Sequence, residues 1–136
     1  MTANEIKLAL ETRGARLARP PSAEELSSLL SIKDFDKNPL IKELYSAFDG
    51  FVSADKRSQI FMWPISRVLE ERKSGVVING RSYFPFGDWM VYSDLIMWCP
   101  ENKNAPVLLL YERRTMGSSI GDFFDNFVGG KFDFIV

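Results

Sequence analysis

Asp88 and Asp94 are the only charges in the aromatic stretch YFPFGDWMVYSDLIMWCP, residues 83–100. Paired carboxylates serve general acid–base work, or hold magnesium, which takes oxygen ligands and needs no imidazole. Equal parity puts both on one face of an unbroken strand. The same geometry sets their Cα atoms about 20 Å apart at about 3.3 Å per residue, too far for one metal ion or a glycosidase pair. Only a sharp turn at Gly87 and Asp88 changes that distance, and it makes Asp88 a turn residue bonding its own backbone. Asp94, on a same-face row with Tyr92 and Ile96, must be paired if buried, or else exposed for a partner. The expectation is a structural or edge role, not catalysis.

The rest of the composition narrows the chemistry further. Histidine is absent from the 136 residues, which removes the usual neutral-pH base and the commonest zinc or iron ligand. The single cysteine, Cys99, lies in an apolar run, where an inert buried thiol is the expected state. Lys and Arg total 17 against 18 Asp and Glu, so no global field points to nucleic acid or anionic lipid. The N-terminus has no apolar run of the signal-peptide or membrane-span kind, and the expectation is a cytoplasmic protein without a cofactor. With 46% hydrophobic and 26% charged residues, the composition is that of an ordinary globular chain of one domain.

Protein recognition is the alternative use of such residues. Most of the aromatic set, Tyr83, Phe84, Phe86, Trp89, Tyr92 and Trp98, belongs in a core. Tyr and Trp nevertheless anchor interfaces, because a large apolar body carries a polar tip. Trp89 and Tyr92 beside Asp88 and Asp94, and Trp63 before Pro64, are the partner-binding candidates. Arg113 and Arg114 complete the set: in YERRTMGSS they stand at a strand end before a small-residue helix start, a combination that can bind an anion. No Gly-rich phosphate loop accompanies them.

The elements that must position these residues can be read from periodicity and punctuation. ANEIKLALET (3–12) is a short helix stopped at Gly14. In RPPSAEELSSLL, Ser22 and Glu25 form a capping box ahead of Leu26, Leu29 and Leu30. A third helix runs from about Pro39 to Phe48 with apolar residues at 3, 4 spacing, and Asp49-Gly50 ends it. QIFMWP is a short strand stopped by Pro64, followed by the amphipathic helix ISRVLEERK. VVINGRSYFPF reads as strand, Asn79-Gly80 turn, strand. Residues 83–98 form a central hairpin or a long strand bent at Gly87 and Asp88, and APVLLLYERR adds a strand. GSSIGDFFDNFVGG is a closing helix with Ser118 or Ser119 as cap and Asp122 in its first turn. Short connections impose an antiparallel meander, and helices, strands and then a helix make the class α+β.

Five of these segments, in order, resemble the SUKH superfamily of bacterial immunity proteins and fungal cell-wall-synthesis regulators. They are LIKELYSAFDGF (40–51), IFMWPISRVLEE (60–71), YFPFGDWMVYSDLIMW (83–98), PVLLLYE (106–112) and SSIGDFFDNFV (118–128). The likeness covers about residues 38–130, with further helices in 1–37. Asp49 stands where the family often has Asn, Asp122 near its usual Glu, and NPL in place of a Leu-Pro entry. The resemblance implies a non-enzymatic domain, monomeric or weakly dimeric, whose sheet and loops bind another protein, in bacterial members typically a toxin. It brings no catalytic residues. A small ligand-sensing domain and a magnesium-dependent enzyme are the competing classes.

Overall fold

The computed structural model describes residues 1–53, 55–90 and 93–133, with backbone only at Asp36. Two helices open the chain, α1 (Ala3–Thr12) and α2 (Ala23–Leu30), and each starts on a full capping box, Thr2 with Glu5 and Ser22 with Glu25. In both boxes the hydroxyl accepts the third amide of the helix while the glutamate accepts the cap amide, which satisfies two otherwise orphaned donors. Between them lies β1 (Arg16–Leu17), which pairs antiparallel with β2 (Phe51–Ser53) in a two-stranded sheet. Neither strand was expected: two and three residues are too short to show alternation.

Helix α3 (Pro39–Ala47) begins on proline and buries Ile41, Leu44 and Tyr45. Its exit needs Gly50, whose φ is +79° and whose added Cβ would overlap backbone at Met62 and Trp63. Then come β3 (Ile60–Met62), α4 (Ile65–Glu70) extended by a 3-10 turn over Glu71–Ser74, β4 (Val76–Ile78), β5 (Arg81–Trp89), β6 (Asp94–Trp98), β7 (Val107–Leu109), β8 (Thr115–Gly117) and α5 (Ile120–Val128).

The six-stranded sheet has the order β3-β5-β6-β7-β8, antiparallel throughout, with β4 pairing the first part of β5. Strands β5 to β8 are the expected meander, and the chain is mixed α+β. The Asn79-Gly80 turn takes positive φ at both residues, 52° and 76°, as a two-residue hairpin requires.

One expectation needs correction. The chain does not turn at Gly87 and Asp88: β5 continues through them to Trp89, and β6 begins at Asp94, so the hairpin alternative holds with its turn after Trp89. Gly87 is glycine because an added Cβ would overlap the Phe61 carbonyl oxygen on β3, not because the chain turns. The irregularity in β5 lies earlier, as a register shift between Pro85 and Gly87. Likewise the strand expected over APVLLLYERR stops at Leu109, and the TMG of YERRTMGSS supplies β8.

The core sits between one sheet face and α1, α3 and α5, and is rich in edge-on aromatic pairs. Trp98 meets Phe35 at 4.6 Å between ring centroids, and Phe123 meets Phe124 at 5.0 Å and Phe86 at 5.9 Å. Such contacts add about 0.5–1.5 kcal/mol each beyond area burial. A smaller apolar cluster, Tyr83, Met97, Cys99, Ala105 and Leu108, forms separately from it. Among the described residues, no helix is long and apolar enough to cross a membrane.

Candidate functional site

The antiparallel order places the β5–β6 and β7–β8 connections at the same end of the sheet. There Asp94 opposes Trp89, and Asp88 opposes Leu95. Directly opposed residues share a sheet face, so the two aspartates point to opposite faces. They form no pair, but the reason differs from the expected one. The hairpin brings their strands side by side, and it is the pleat that separates the carboxylates.

Asp94 is 4% exposed, and backbone amides satisfy it. Its Oδ1 accepts the amides of Leu95 and Tyr111, both at 2.8 Å, and its Oδ2 accepts that of Glu112 at 2.9 Å. The neighbouring amides of the turn are also bound: Leu110 donates to the Leu95 carbonyl and Arg113 to that of Leu109, each at 3.0 Å. Four consecutive amides, 110 to 113, therefore end on fixed acceptors. This determination holds Arg113 at a φ of +57°, a region a branched or bulky L-residue seldom enters.

Above this rigid base the side chains face water. Tyr111 is 73% exposed, and Glu112, Arg113 and Arg114 are exposed beside it. Arg114 lies over the Trp89 ring with its guanidinium carbon 5.7 Å from the centroid, a cation–π contact. Trp89, Met90, Ser93, Asp94, Tyr111 and Glu112 line an open hollow of about 490 Å³. Met90, on the adjoining turn, also holds a positive φ, 55°.

The other candidates lie elsewhere. Trp63 is 2% exposed and donates its indole Nε1–H to Asp88 Oδ2 at 2.8 Å; Arg67 donates to the same oxygen at 3.2 Å and stacks on the Trp63 ring, 4.1 Å from its centroid. Asp88 itself is 2% exposed, and its Oδ1 is buried without a partner among the described residues. Trp89, at 9% exposure, packs edge-on against Phe132 at 5.8 Å. Burial thus takes Trp63, Asp88 and Asp94 away from the accessible surface and leaves Trp89 a narrow rim. Tyr92 lies outside the described residues. Arg113 and Arg114 are the candidates that stand open to solvent, and Tyr111, which is not among the candidates, stands exposed beside them. A tyrosine next to two arginines at a strand end was the available signal.

The closing helix start, where Arg113 and Arg114 offered an anion site as the lesser alternative, is a capped helix end. Ser119 caps α5 by accepting the Asp122 amide, and Asp122 Oδ2 accepts the Ser118 amide and hydroxyl at 2.8 and 3.1 Å. These bonds to Ser118 hold the Asp122 carboxyl below the usual carboxylate range. Arg114 lines one open hollow with Ser118 and Asp122, so the carboxylate that caps the helix start already stands beside the arginine.

Two further carboxylates have partners too distant in the sequence to be read there. Asp49 Oδ1 accepts the Ile65 amide at 2.7 Å, capping α4 from across the fold; burial nonetheless pushes its carboxyl above the ordinary range. Asp55, fully buried, accepts Arg13 Nε at 2.5 Å, while Arg13 Nη2 donates to Asp133. Arg13 thereby ties the end of α1 to the segment after β2 and to the segment after α5. Cys99 is buried, and that burial pushes its thiol up, away from nucleophile behaviour. Among the described residues, no three carboxylate or thiol side chains converge as a metal site. Compared with protein-family models, curated proteins and solved structures, the chain matches none of them.

Proposed function

We propose that this chain is a protein-binding domain that works without catalysis, of the immunity type that the SUKH resemblance implies, with a bacterial toxin as its partner. The observation that carries the reading is the Tyr111–Arg114 turn. An exposed tyrosine and two arginines, the residue types that dominate interface energetics, stand on a turn in which amides 110 to 113 are all bound to fixed acceptors. A turn held in one conformation loses little entropy on docking, so more of the contact energy remains as affinity. The carboxylates best placed for chemistry by type, Asp88 and Asp94, are meanwhile occupied in holding Trp63, Arg67 and this turn.

Contact through Tyr111 buries a flat ring with a polar tip, and Arg113 and Arg114 complement an acidic patch on the toxin. An acidic contact surface accords with the near-neutral net charge of −1, since inhibitors of basic nuclease surfaces are clearly acidic. The test is co-expression of the chain with the product of its neighbouring gene. Co-purification with loss of toxicity is the expected outcome. Tyr111→Ala should then weaken the complex by about thirtyfold, about 2 kcal/mol, with an unchanged melting temperature. Persisting toxicity, or a complex indifferent to Tyr111 and both arginines, overturns the reading.

A further inference from the structure

The chain carries nearly balanced charge, but one hollow collects cations. It opens between the small sheet and β3 and has a volume of about 770 Å³. Arg13, Arg16, Lys56 and Arg57 line it, against Asp55 as the only lining carboxylate among the described residues. Even with Asp133, the second acid that Arg13 holds, counted against it, the basin keeps two positive charges in excess.

The four cations fall into two groups. Arg13 has a side chain 9% exposed and is committed to Asp55 and Asp133, and Arg57 donates to Asp55 Oδ1 at 3.4 Å and to the Arg13 carbonyl at 3.1 Å. Both are thus positioned by the fold. Arg16 and Lys56 are exposed, and among the described residues their side chains make no ion pair. Arg13 is anchored at the base, Arg57 is tethered to it with its side chain 52% exposed, and Arg16 and Lys56 stand unengaged at the rim, an arrangement with local positive charge to offer an anion. Phe61, half-buried on β3, lines the same hollow and offers a flat apolar surface, with the Gln59 amide beside it.

We infer that this basin binds a small phosphate monoester with a planar body, the phosphate taken by Arg16, Lys56 and Arg57 and the ring laid over Phe61. Guanidinium forks match phosphate oxygens in pairs, and an ammonium adds a point charge. Aromatic faces accept planar rings by stacking. This inference is independent of the Tyr111 turn, which lies in a different hollow.

The experiment is calorimetric titration of the full chain at low salt with inorganic phosphate, adenosine monophosphate, adenosine, and a Glu-rich peptide. Adenosine monophosphate should bind saturably and more tightly than phosphate, adenosine should bind far more weakly, and added chloride should weaken both anions. Arg16→Gln with Lys56→Gln should weaken adenosine monophosphate at least about tenfold. Lys56→Gln alone serves if the double variant melts early. Phe61→Leu should reduce the preference for the nucleotide over phosphate. Absence of saturable binding by either anion, equal affinity of the parent and the charge-removed variants, or binding of the acidic peptide alone would overturn the inference.

Discussion

Asp94 and Asp88 are both buried acids of one hairpin, yet they are satisfied in different ways. Around Asp94, both carboxylate oxygens receive backbone amides, three in all, so the acid organises main chain. Around Asp88, a single oxygen receives an indole and a guanidinium, the other has no partner among the described residues, and the acid organises side chains. Amides cannot rotate away or titrate, so the first arrangement makes a rigid platform. Side chains can re-pack, and Arg67, with a side chain 37% exposed, has water as an alternative partner. The exposed recognition candidates stand on the first of these regions and not on the second.

Substitution should separate the two. Asp94→Ala leaves three amides without their acceptor and should cost about 3 kcal/mol in denaturant unfolding, with Asp94→Asn about 2 kcal/mol, because its amide group sets a donor against a donor. Asp88→Asn should cost about 1 kcal/mol or less: its carbonyl still accepts from Trp63, and its amide group removes a charge that is already half-unsatisfied. Equal losses for the two asparagine variants would erase the distinction. Hydrogen exchange adds a local reading, since Asp94→Asn should expose the amides of residues 110–113 while Asp88→Asn leaves them protected.

The smallest expected effect is on pH dependence, where two helix-capping acids differ in sign. The Asp122 carboxyl is lowered by its Ser118 bonds, so its stabilisation is present above the unfolded pKa and disappears as pH falls through the lower folded value. The Asp49 carboxyl is raised by burial, so its contribution is full below the unfolded pKa and is lost as pH rises through the higher folded value. Thermal melts from pH 3 to 7 should show Asp122→Asn flattening the acid side of the stability curve. Asp49→Asn should instead remove a decline toward neutral pH. The same sign for both variants would contradict this assignment.

Legibility followed the range of the interactions. Capping boxes, the Asn79-Gly80 turn and the apolar spacing of α3 and α5 act within about one helical turn or one hairpin, and each is readable from neighbouring residues. The hairpin break at Met90 had no such signal: it carries no Gly or Asn in a turn position, and the glycine nearby is required by the close approach of β3. Strands β1, β2 and β8 are too short for periodicity and exist because a distant partner is present.

By itself the sequence determined the α+β class, the meander and most helix boundaries, because local propensity, punctuation and hydrophobic period all lie along the chain. It also determined that no imidazole chemistry operates here. Tertiary structure alone assigned Asp94 to the amides of residues 111 and 112, Asp49 to the start of α4, and Arg13 to Asp55 and Asp133. A charged group's role is set by whatever the fold brings within about 3 Å of it, and for these groups that partner lies far away in sequence.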